Sequence, residues 1–154
     1  LLLGAGGATR GAVRPLARAG AARIVIANRT ADKARTLAAE LAPHLDGVPL
    51  VGGGLAALAT GEAFEVVINA TSASLSGAAP ELPACAFAPG ALAYDMVYGQ
   101  GLTPFLRLAR AAGCARLADG VGMLVEQAAE AFAWWRGVRP DTREALARLT
   151  VPLA

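Results

Sequence analysis

The chain has 154 residues, 55% of them hydrophobic and 17% charged, which excludes a disordered chain and is enough apolar material for the core of one domain. Its formal net charge of +2 comes from arginines scattered along the chain, so composition argues against a nucleic-acid partner. No apolar run approaches the ~20 residues of a membrane span, and no signal-peptide pattern is present, so we expect a cytoplasmic protein with no membrane partner.

The first predicted strand opens the chain and turns directly into a glycine-rich loop. Leu1-Leu2-Leu3 precede Gly4-Ala5-Gly6-Gly7-Ala8, and a helical pattern from Ala8 to Ala19 ends at Gly20. Gly4 permits a tight turn, and the lack of Cβ atoms at Gly6 and Gly7 would let an anion such as a pyrophosphate approach the helix N-terminus. Since glycine-rich turns are common, a plain strand–helix turn is the alternative at this point.

The second predicted strand, over 23–27, ends in Asn28-Arg29-Thr30, and a helix is predicted from Ala31 to Leu41. In an NAD-binding unit, an acid about 20 residues beyond the glycines bonds the ribose 2′-hydroxyl. Here that place holds an amide, a guanidinium and a hydroxyl, with Lys33 one turn further on. A carboxylate would repel a 2′-phosphate, whereas this set would bind one. The predicted cofactor is therefore NADP(H); a solvated surface charge is the alternative for Arg29.

Strands and helices alternate along the rest of the chain. Further strands are predicted over 47–51, 64–69, 91–96 and 115–117, with Gly52-Gly53-Gly54 and the stretch from Ala70 to Pro89 as loops. Further helices are predicted over 104–112, with Thr103 as N-cap and Pro104 at the first position, over 121–136, and from a cap at Asp141 to about Leu149. The alternation predicts an α/β, Rossmann-type, doubly wound and mainly parallel sheet with helices on both faces.

The cysteines and the histidine do not indicate a metal site. Cys85 and Cys114 are far apart, form no CxxC pattern and are predicted to be two buried thiols in a reducing compartment. His44, the only histidine, stands beside Pro43 at the end of a surface helix and is predicted to be solvated.

Five short motifs identify a family. They are Gly4–Gly11, Asn28–Thr30, Asn69–Ser72, Tyr94–Tyr98 and Asp119–Ala128. In this order and spacing they resemble the C-terminal, NADP-binding domain of the shikimate dehydrogenase family, over nearly the whole chain. The resemblance implies an oxidoreductase that reduces 3-dehydroshikimate to shikimate with NADPH, reversibly, on the route to aromatic amino acids.

The resemblance also implies roles for individual residues. Those implied to bind the cofactor are Gly4, Ala5, Gly6, Gly7 and Ala8 at the pyrophosphate, Asn28, Arg29, Thr30 and Lys33 at the 2′-phosphate, Thr71 along the cofactor, and Met96, Gly120 and Met123 at the nicotinamide. Tyr98 and Gln127 are implied to reach the substrate. From the residues alone, both methionines also fit core positions, Gln127 also fits a core hydrogen-bonding position, and Asp119 is interpreted as a turn or cap residue.

No catalytic residue is assigned in this chain. The family's catalytic Lys and Asp belong to an N-terminal domain, and the only lysine here, Lys33, is already assigned to the phosphate. Only three residues precede Gly4, whereas a strand usually has 5–6. We therefore expect residues 1–154 to be the NADP-binding domain, with C-terminal helices, of a longer enzyme whose N-terminal domain completes the substrate site. Carbonyl reduction needs a positioned proton donor, so we expect the isolated chain to be inactive.

Two alternatives to this function stay open at the level of sequence. One is a quinate/shikimate dehydrogenase variant, although the acid expected for NAD use is absent from the ribose site. The other is a non-catalytic NADP(H)-binding module. A homodimer is also left open.

Overall fold

A computed structural model describes residues 1–73, 77–99 and 101–153. Within these residues, six parallel strands form one sheet in the order β3-β2-β1-β4-β5-β6. The strands are β1 (Leu2–Leu3), β2 (Ile24–Asn28), β3 (Leu50–Gly54), β4 (Phe64–Asn69), β5 (Phe87–Asp95) and β6 (Arg116–Ala118). This order confirms the predicted doubly wound Rossmann-type fold, and it reverses between β1 and β4, where such sheets open a ligand crevice.

Five α-helices connect and cover the described strands. They are α1 (Gly7–Arg18), α2 (Ala31–Leu41), α3 (Pro104–Ala111), α4 (Val121–Arg136) and α5 (Arg143–Leu149). Thr103 caps α3 as predicted, since its hydroxyl accepts a hydrogen bond from the Leu106 amide at 3.2 Å. Asp141 accepts one from the Arg143 amide at 3.0 Å, one residue before the α5 N-cap position. Among the described residues, no helix is both long and apolar enough to cross a membrane.

The sheet separates two hydrophobic clusters. Leu2 and Leu3 are adjacent in β1, but their side chains enter opposite clusters because strand side chains alternate between faces. Leu2 packs with buried residues of α1 and α2, including Val13 and Leu37. Leu3 packs in the other cluster with Phe105 of α3. Helices therefore cover both faces, as predicted.

The prediction of a loop over Gly52-Gly53-Gly54 is wrong, because these glycines are the last three residues of β3. They pair in register with Ile26, Ala27 and Asn28 of β2. A Cβ at Gly52 would overlap the Ala34 carbonyl and lie 2.6 Å from the Arg35 amide nitrogen, so only glycine lets α2 pack this closely on β3. The strand is accordingly shifted from the predicted 47–51 to Leu50–Gly54.

The predicted loop from Ala70 to Pro89 is too long at its C-terminal end. A short 3-10 helix covers Ala84–Ala86 and β5 begins at Phe87, whose ring centroid lies 6.4 Å from that of Phe105. The register of β5 against β4 shifts between Phe64 and Val66. This irregularity accommodates Gly90, which has φ +75°, within β5. Residues 70–89 are rich in serine, glycine and proline, a composition typical of a loop, and this composition conceals the start of β5.

The two cysteines have different environments. Cys114 is buried, as predicted, and its Sγ donates to the Ala91 carbonyl at 2.9 Å. Cys85 is exposed, so the prediction of two buried thiols is wrong for this residue. Its 3-10 helix places only the neighbouring Ala86 in the core.

Candidate functional site

The loop after β1 requires a glycine at its first position. Gly4 has φ +101°, a conformation that residues with a side chain rarely adopt, and its amide donates to the Ala27 carbonyl at 2.8 Å. A Cβ there would lie 3.0 Å from Cγ2 of Thr71 and 3.2 Å from the Ala70 carbonyl oxygen. Strand β2 and the loops after β1 and β4 therefore meet at Gly4.

Thr9 fixes this loop to α1, a role that was not predicted from the sequence. Its side chain is fully buried, and its hydroxyl donates to the Gly4 carbonyl at 2.8 Å. The signal in the sequence is a threonine five residues after the first glycine, at the start of the predicted helix, where its hydroxyl can reach back to the turn.

The N-terminus of α1 is open to a ligand. Gly6 is the N-cap residue and makes no side-chain cap, Gly7 and Ala8 begin the helix, and the first turn contains no acid. A Cβ at Gly6 or Gly7 would meet no heavy atom within 4 Å. Because the first amides of a helix lack partners within it and carry partial positive charge, this end suits a pyrophosphate.

The residues predicted for the 2′-phosphate come together around one cavity of about 250 Å³. It is lined by Ala5, Gly6, Asn28, Arg29, Thr30 and Lys33. The loop is ordered by two bonds to the Thr30 carbonyl, from the Asn28 amide group at 3.0 Å and the Lys33 backbone at 3.2 Å. The side chains of Arg29 and Lys33 are exposed, and neither forms an ion pair within the described residues. Among the described residues of its lining, the cavity thus has two unneutralised cations and no acid.

A larger cavity of about 570 Å³ adjoins it along the sheet. Asn28 and Arg29 line both, and the larger cavity also includes Leu55 and Thr71. Its volume and mixed lining suit a nucleoside. A cavity of similar size, about 560 Å³, lies at the amino ends of the strands beside Leu1 and has none of the predicted residues in its lining. Position relative to the glycine loop, and not volume, therefore identifies the site.

The residues that the resemblance assigns to the nicotinamide lie in the loop after β5 and at the start of α4. A Cβ at Gly120 would overlap the Met96 carbonyl, and the Gly120 amide donates to the Val97 carbonyl at 3.2 Å. Close packing against Met96 explains why glycine is needed at position 120. Met96 is half-buried against the α1–α2 cluster, whereas Met123 is 43% exposed, so a core role is excluded for Met123.

The two predicted substrate residues are accessible. The Tyr98 side chain is 45% exposed after β5. Gln127 is exposed on α4, one turn beyond Met123, and its amide group donates to the Leu124 carbonyl of the same helix at 2.9 Å. The alternative that Gln127 is a core hydrogen-bonding residue is therefore wrong.

Asp119 and Tyr94 lie beside this end of the crevice. Asp119 accepts a hydrogen bond from the Val121 amide at 3.2 Å, which confirms the interpretation as a turn or cap residue. Its second oxygen, Oδ2, is buried and has no hydrogen-bond partner among the described residues. Burial, and then the charge of Asp119, raises the pKa of the Tyr94 phenol above its ordinary value.

Beneath the crevice lies a buried polar cluster that sequence reasoning did not assign. Asn69 and Asp95, the last residues of β4 and β5, are 0% exposed, and Thr103 is 1% exposed. Asn69 Nδ2 donates to Asp95 Oδ1 at 3.0 Å, and the Thr103 hydroxyl donates to Asp95 Oδ2 at 2.6 Å. The only available signal was three polar residues at strand ends and a helix cap, which does not show that they touch.

Two family models match the chain. The model described as "Shikimate / quinate 5-dehydrogenase" matches residues 1–77, and "Shikimate 5'-dehydrogenase C-terminal domain" matches residues 120–149. A shikimate dehydrogenase (NADP(+)) of Dechloromonas aromatica is 61% identical over 153 residues, which are 99% of this chain and 54% of that protein. The chain thus spans about half the length of the curated relatives it matches.

Solved structures show the same fold. The Ael1 enzyme from Pseudomonas putida superposes with a TM-score of 0.90 at 58% identity, over 99% of this chain and 55% of that one. Shikimate 5-dehydrogenase from Thermus thermophilus, solved in complex with NADP(H) and shikimate, gives a TM-score of 0.73 at 35% identity, over 96% of this chain and 54% of that one.

Proposed function

The chain belongs to the shikimate dehydrogenase family, and on that premise we propose that it is the NADP(H)-binding half of an enzyme that interconverts 3-dehydroshikimate and shikimate. One observation carries the cofactor assignment. The described lining of the cavity after β2 contains Arg29 and Lys33 and no carboxylate. Two cations without a carboxylate favour binding of a 2′-phosphate. A 2′-hydroxyl is uncharged and would need neither cation.

The residues present fit the rest of the cofactor. The open α1 N-terminus with Gly6 and Gly7 suits the pyrophosphate, and the cavity lined by Leu55 and Thr71 suits the adenosine. Met96, Gly120 and Met123 are proposed to border the nicotinamide. When bound, NADP(H) supplies a hydride to a carbonyl carbon or accepts one from an alcohol.

Tyr98 and Gln127 are proposed to bind the substrate. Both side chains are exposed, and both belong to the segments that meet at Gly120, so they are available to polar groups of a ligand in the crevice. A tyrosine hydroxyl and a carboxamide can each donate and accept hydrogen bonds, which suits the hydroxyl groups of shikimate.

We propose that the proton donor and the remaining substrate contacts come from protein outside residues 1–154. The relative from Dechloromonas aromatica is nearly twice as long as the matched part. Three aromatic side chains of α4 support packing against further protein, since Phe132 is 43%, Trp134 90% and Trp135 80% exposed. Exposed apolar surface of this extent on one helix is typical of an interface.

Steady-state kinetics of the complete enzyme test this function. We expect shikimate-dependent reduction of NADP⁺, followed by the absorbance of NADPH, with a much lower kcat/KM when NAD⁺ replaces NADP⁺. Quinate in place of shikimate separates the two activities of the family. Preference for quinate with NAD⁺ would reject the proposal, and cofactor binding without turnover of either acid would indicate a non-catalytic module.

A further inference from the structure

Three buried side chains connect the loop after β4, which contains Thr71, with the loop after β5, which contains Tyr98. Asn69 ends β4, Asp95 ends β5, and Thr103 caps α3, so three separate elements contribute to one polar cluster. All three are at most 1% exposed. The Asp95 carboxylate is the centre: Oδ1 accepts from Asn69 Nδ2 at 3.0 Å, and Oδ2 accepts from the Thr103 hydroxyl at 2.6 Å.

On the side of the proposed cofactor, the cluster orients Thr71 through hydrogen bonds to Asn69. Asn69 Oδ1 accepts from the Thr71 amide at 3.1 Å and from the Thr71 hydroxyl at 2.7 Å. Thr71 lines the cavity that also contains Gly4 and Arg29. The side chain of Asn69 therefore sets both the backbone and the rotamer of a residue that faces the proposed cofactor.

On the side of the proposed substrate, the same cluster fixes the backbone before Tyr98 through a hydrogen bond to Asp95. Asp95 Oδ1 accepts from the Val97 amide at 3.2 Å, and Tyr98 is the next residue along the chain. Thr103 limits rotation of this carboxylate because it binds the other oxygen. A single carboxylate thus connects the residue before Tyr98 with the amide group that holds Thr71.

We propose that Asn69, Asp95 and Thr103 act as positioning residues that fix Tyr98 relative to Thr71, and so fix the substrate relative to the cofactor. Burying a carboxylate is costly unless its oxygens are hydrogen-bonded, and an apolar side chain would fill the same space without that cost. Charge-assisted bonds of good geometry give a directional restraint that apolar packing lacks. This inference rests on the proposed function, because it assigns Tyr98 to the substrate and Thr71 to the cofactor.

Thr103 is the best position for a test, since it lines none of the cavities described above. Thr103→Val removes the hydroxyl and keeps the shape, whereas Thr103→Ser keeps the hydroxyl. Phe105→Leu is a matched control, because it weakens packing of the same helix at a fully buried position and leaves every bond of the cluster intact. All three are compared in the complete enzyme.

The exchange rate of the Val97 amide hydrogen measures how firmly the cluster fixes this loop, and it needs no ligand. In Thr103→Val, exchange of the Val97 amide should become faster by at least about tenfold, the change expected for weakening a bond to a charged group. Exchange in α1 should not change. Phe105→Leu should leave the Val97 amide protected to the wild-type extent once global stability is matched, and Thr103→Ser should restore protection.

Steady-state kinetics measure the effect of this positioning on substrate binding and turnover. Thr103→Val should raise the KM for shikimate by about fivefold or more and lower kcat, while the Kd for NADPH measured by fluorescence stays within about twofold, as expected for a lost positioning contact. Thr103→Ser should recover the wild-type values, and Phe105→Leu should keep both. Equal effects of Thr103→Val and Phe105→Leu would overturn the inference, as would unchanged Val97 exchange in Thr103→Val. Absence of shikimate turnover by the wild type would reject the proposed function instead, and the exchange result would still decide the structural restraint.

Discussion

Gly52 of β3 lies directly against the backbone of Ala34 in α2, with no room for a Cβ between them. Its neighbour Gly53 has the opposite surroundings, since a Cβ there would meet no heavy atom within 4 Å. The two positions are adjacent in the same strand and differ only in what faces them. They provide a matched pair for testing how α2 is held on the sheet.

We expect Gly52→Ala to lower the free energy of unfolding by about 3 kcal/mol, the upper end of the range for overpacking, because the obstructing atoms belong to backbone. Gly53→Ala should change it by less than about 1 kcal/mol, since the added methyl group has space. Denaturant unfolding of both variants measures this. Equal stability of the two variants would mean that α2 does not pack on Gly52 as described.

These glycines also show where sequence reasoning fails. A glycine run between two elements is typical of a loop, and nothing in residues 47–54 reveals that a helix backbone will cover Gly52. In contrast, β4 (Phe64–Asn69), α2 (Ala31–Leu41) and α4 (Val121–Arg136) have the predicted bounds. Each has a long apolar or periodic pattern, and the two helices also carry stop signals at Pro43 and Gly137.

The candidate site was predictable to a similar degree. The grouping of Arg29 and Lys33 with the glycine loop follows from fold class alone, because the carboxyl ends of parallel strands meet at one edge. The contact of Asn69 with Asp95 depends on the register of β4 against β5, across 26 residues of sequence. No local pattern encodes such a register.

Gln127 provides a test of the substrate side. In the complete enzyme, Gln127→Ala should raise the KM for shikimate by about tenfold, the effect of one hydrogen bond to a polar ligand group, and leave NADP⁺ affinity nearly unchanged. Its melting temperature should equal that of the wild type, because the side chain is exposed and its only hydrogen bond within the described residues is to its own helix. A large fall in stability, or equal losses for substrate and cofactor, would remove Gln127 from the substrate site.

Residues 1–154 by themselves should bind NADP(H) weakly and show no turnover. The residues proposed to hold the cofactor all lie in this chain, but the proton donor is proposed to lie outside it. General acid–base groups contribute roughly 10²–10⁴-fold, and orientation of the reactants can contribute about 7–11 kcal/mol. The measurement is shikimate-dependent formation of NADPH by the 154-residue polypeptide beside the complete enzyme. Measurable turnover by the polypeptide alone would place the proton donor within residues 1–154.

We propose that the cavity after β2 selects NADP(H) over NAD(H) by binding the 2′-phosphate of the cofactor. Titration of NADPH and of NADH, against the wild type and against Arg29→Ala, measures this most directly. Arg18→Ala is the matched control, since it removes the same charge at the opposite end of α1, about 16 Å from the glycine loop.

We predict that the wild type binds NADPH more tightly than NADH, and that Arg29→Ala weakens NADPH binding by about tenfold or more, as expected for charge-assisted hydrogen bonds worth about 1.5–3 kcal/mol. NADH binding should hardly change in Arg29→Ala, and neither affinity should change in Arg18→Ala. Equal losses of NADPH and NADH affinity in Arg29→Ala would show that Arg29 has no specific contact with the 2′-phosphate, and selection of NADP(H) by this residue would be ruled out.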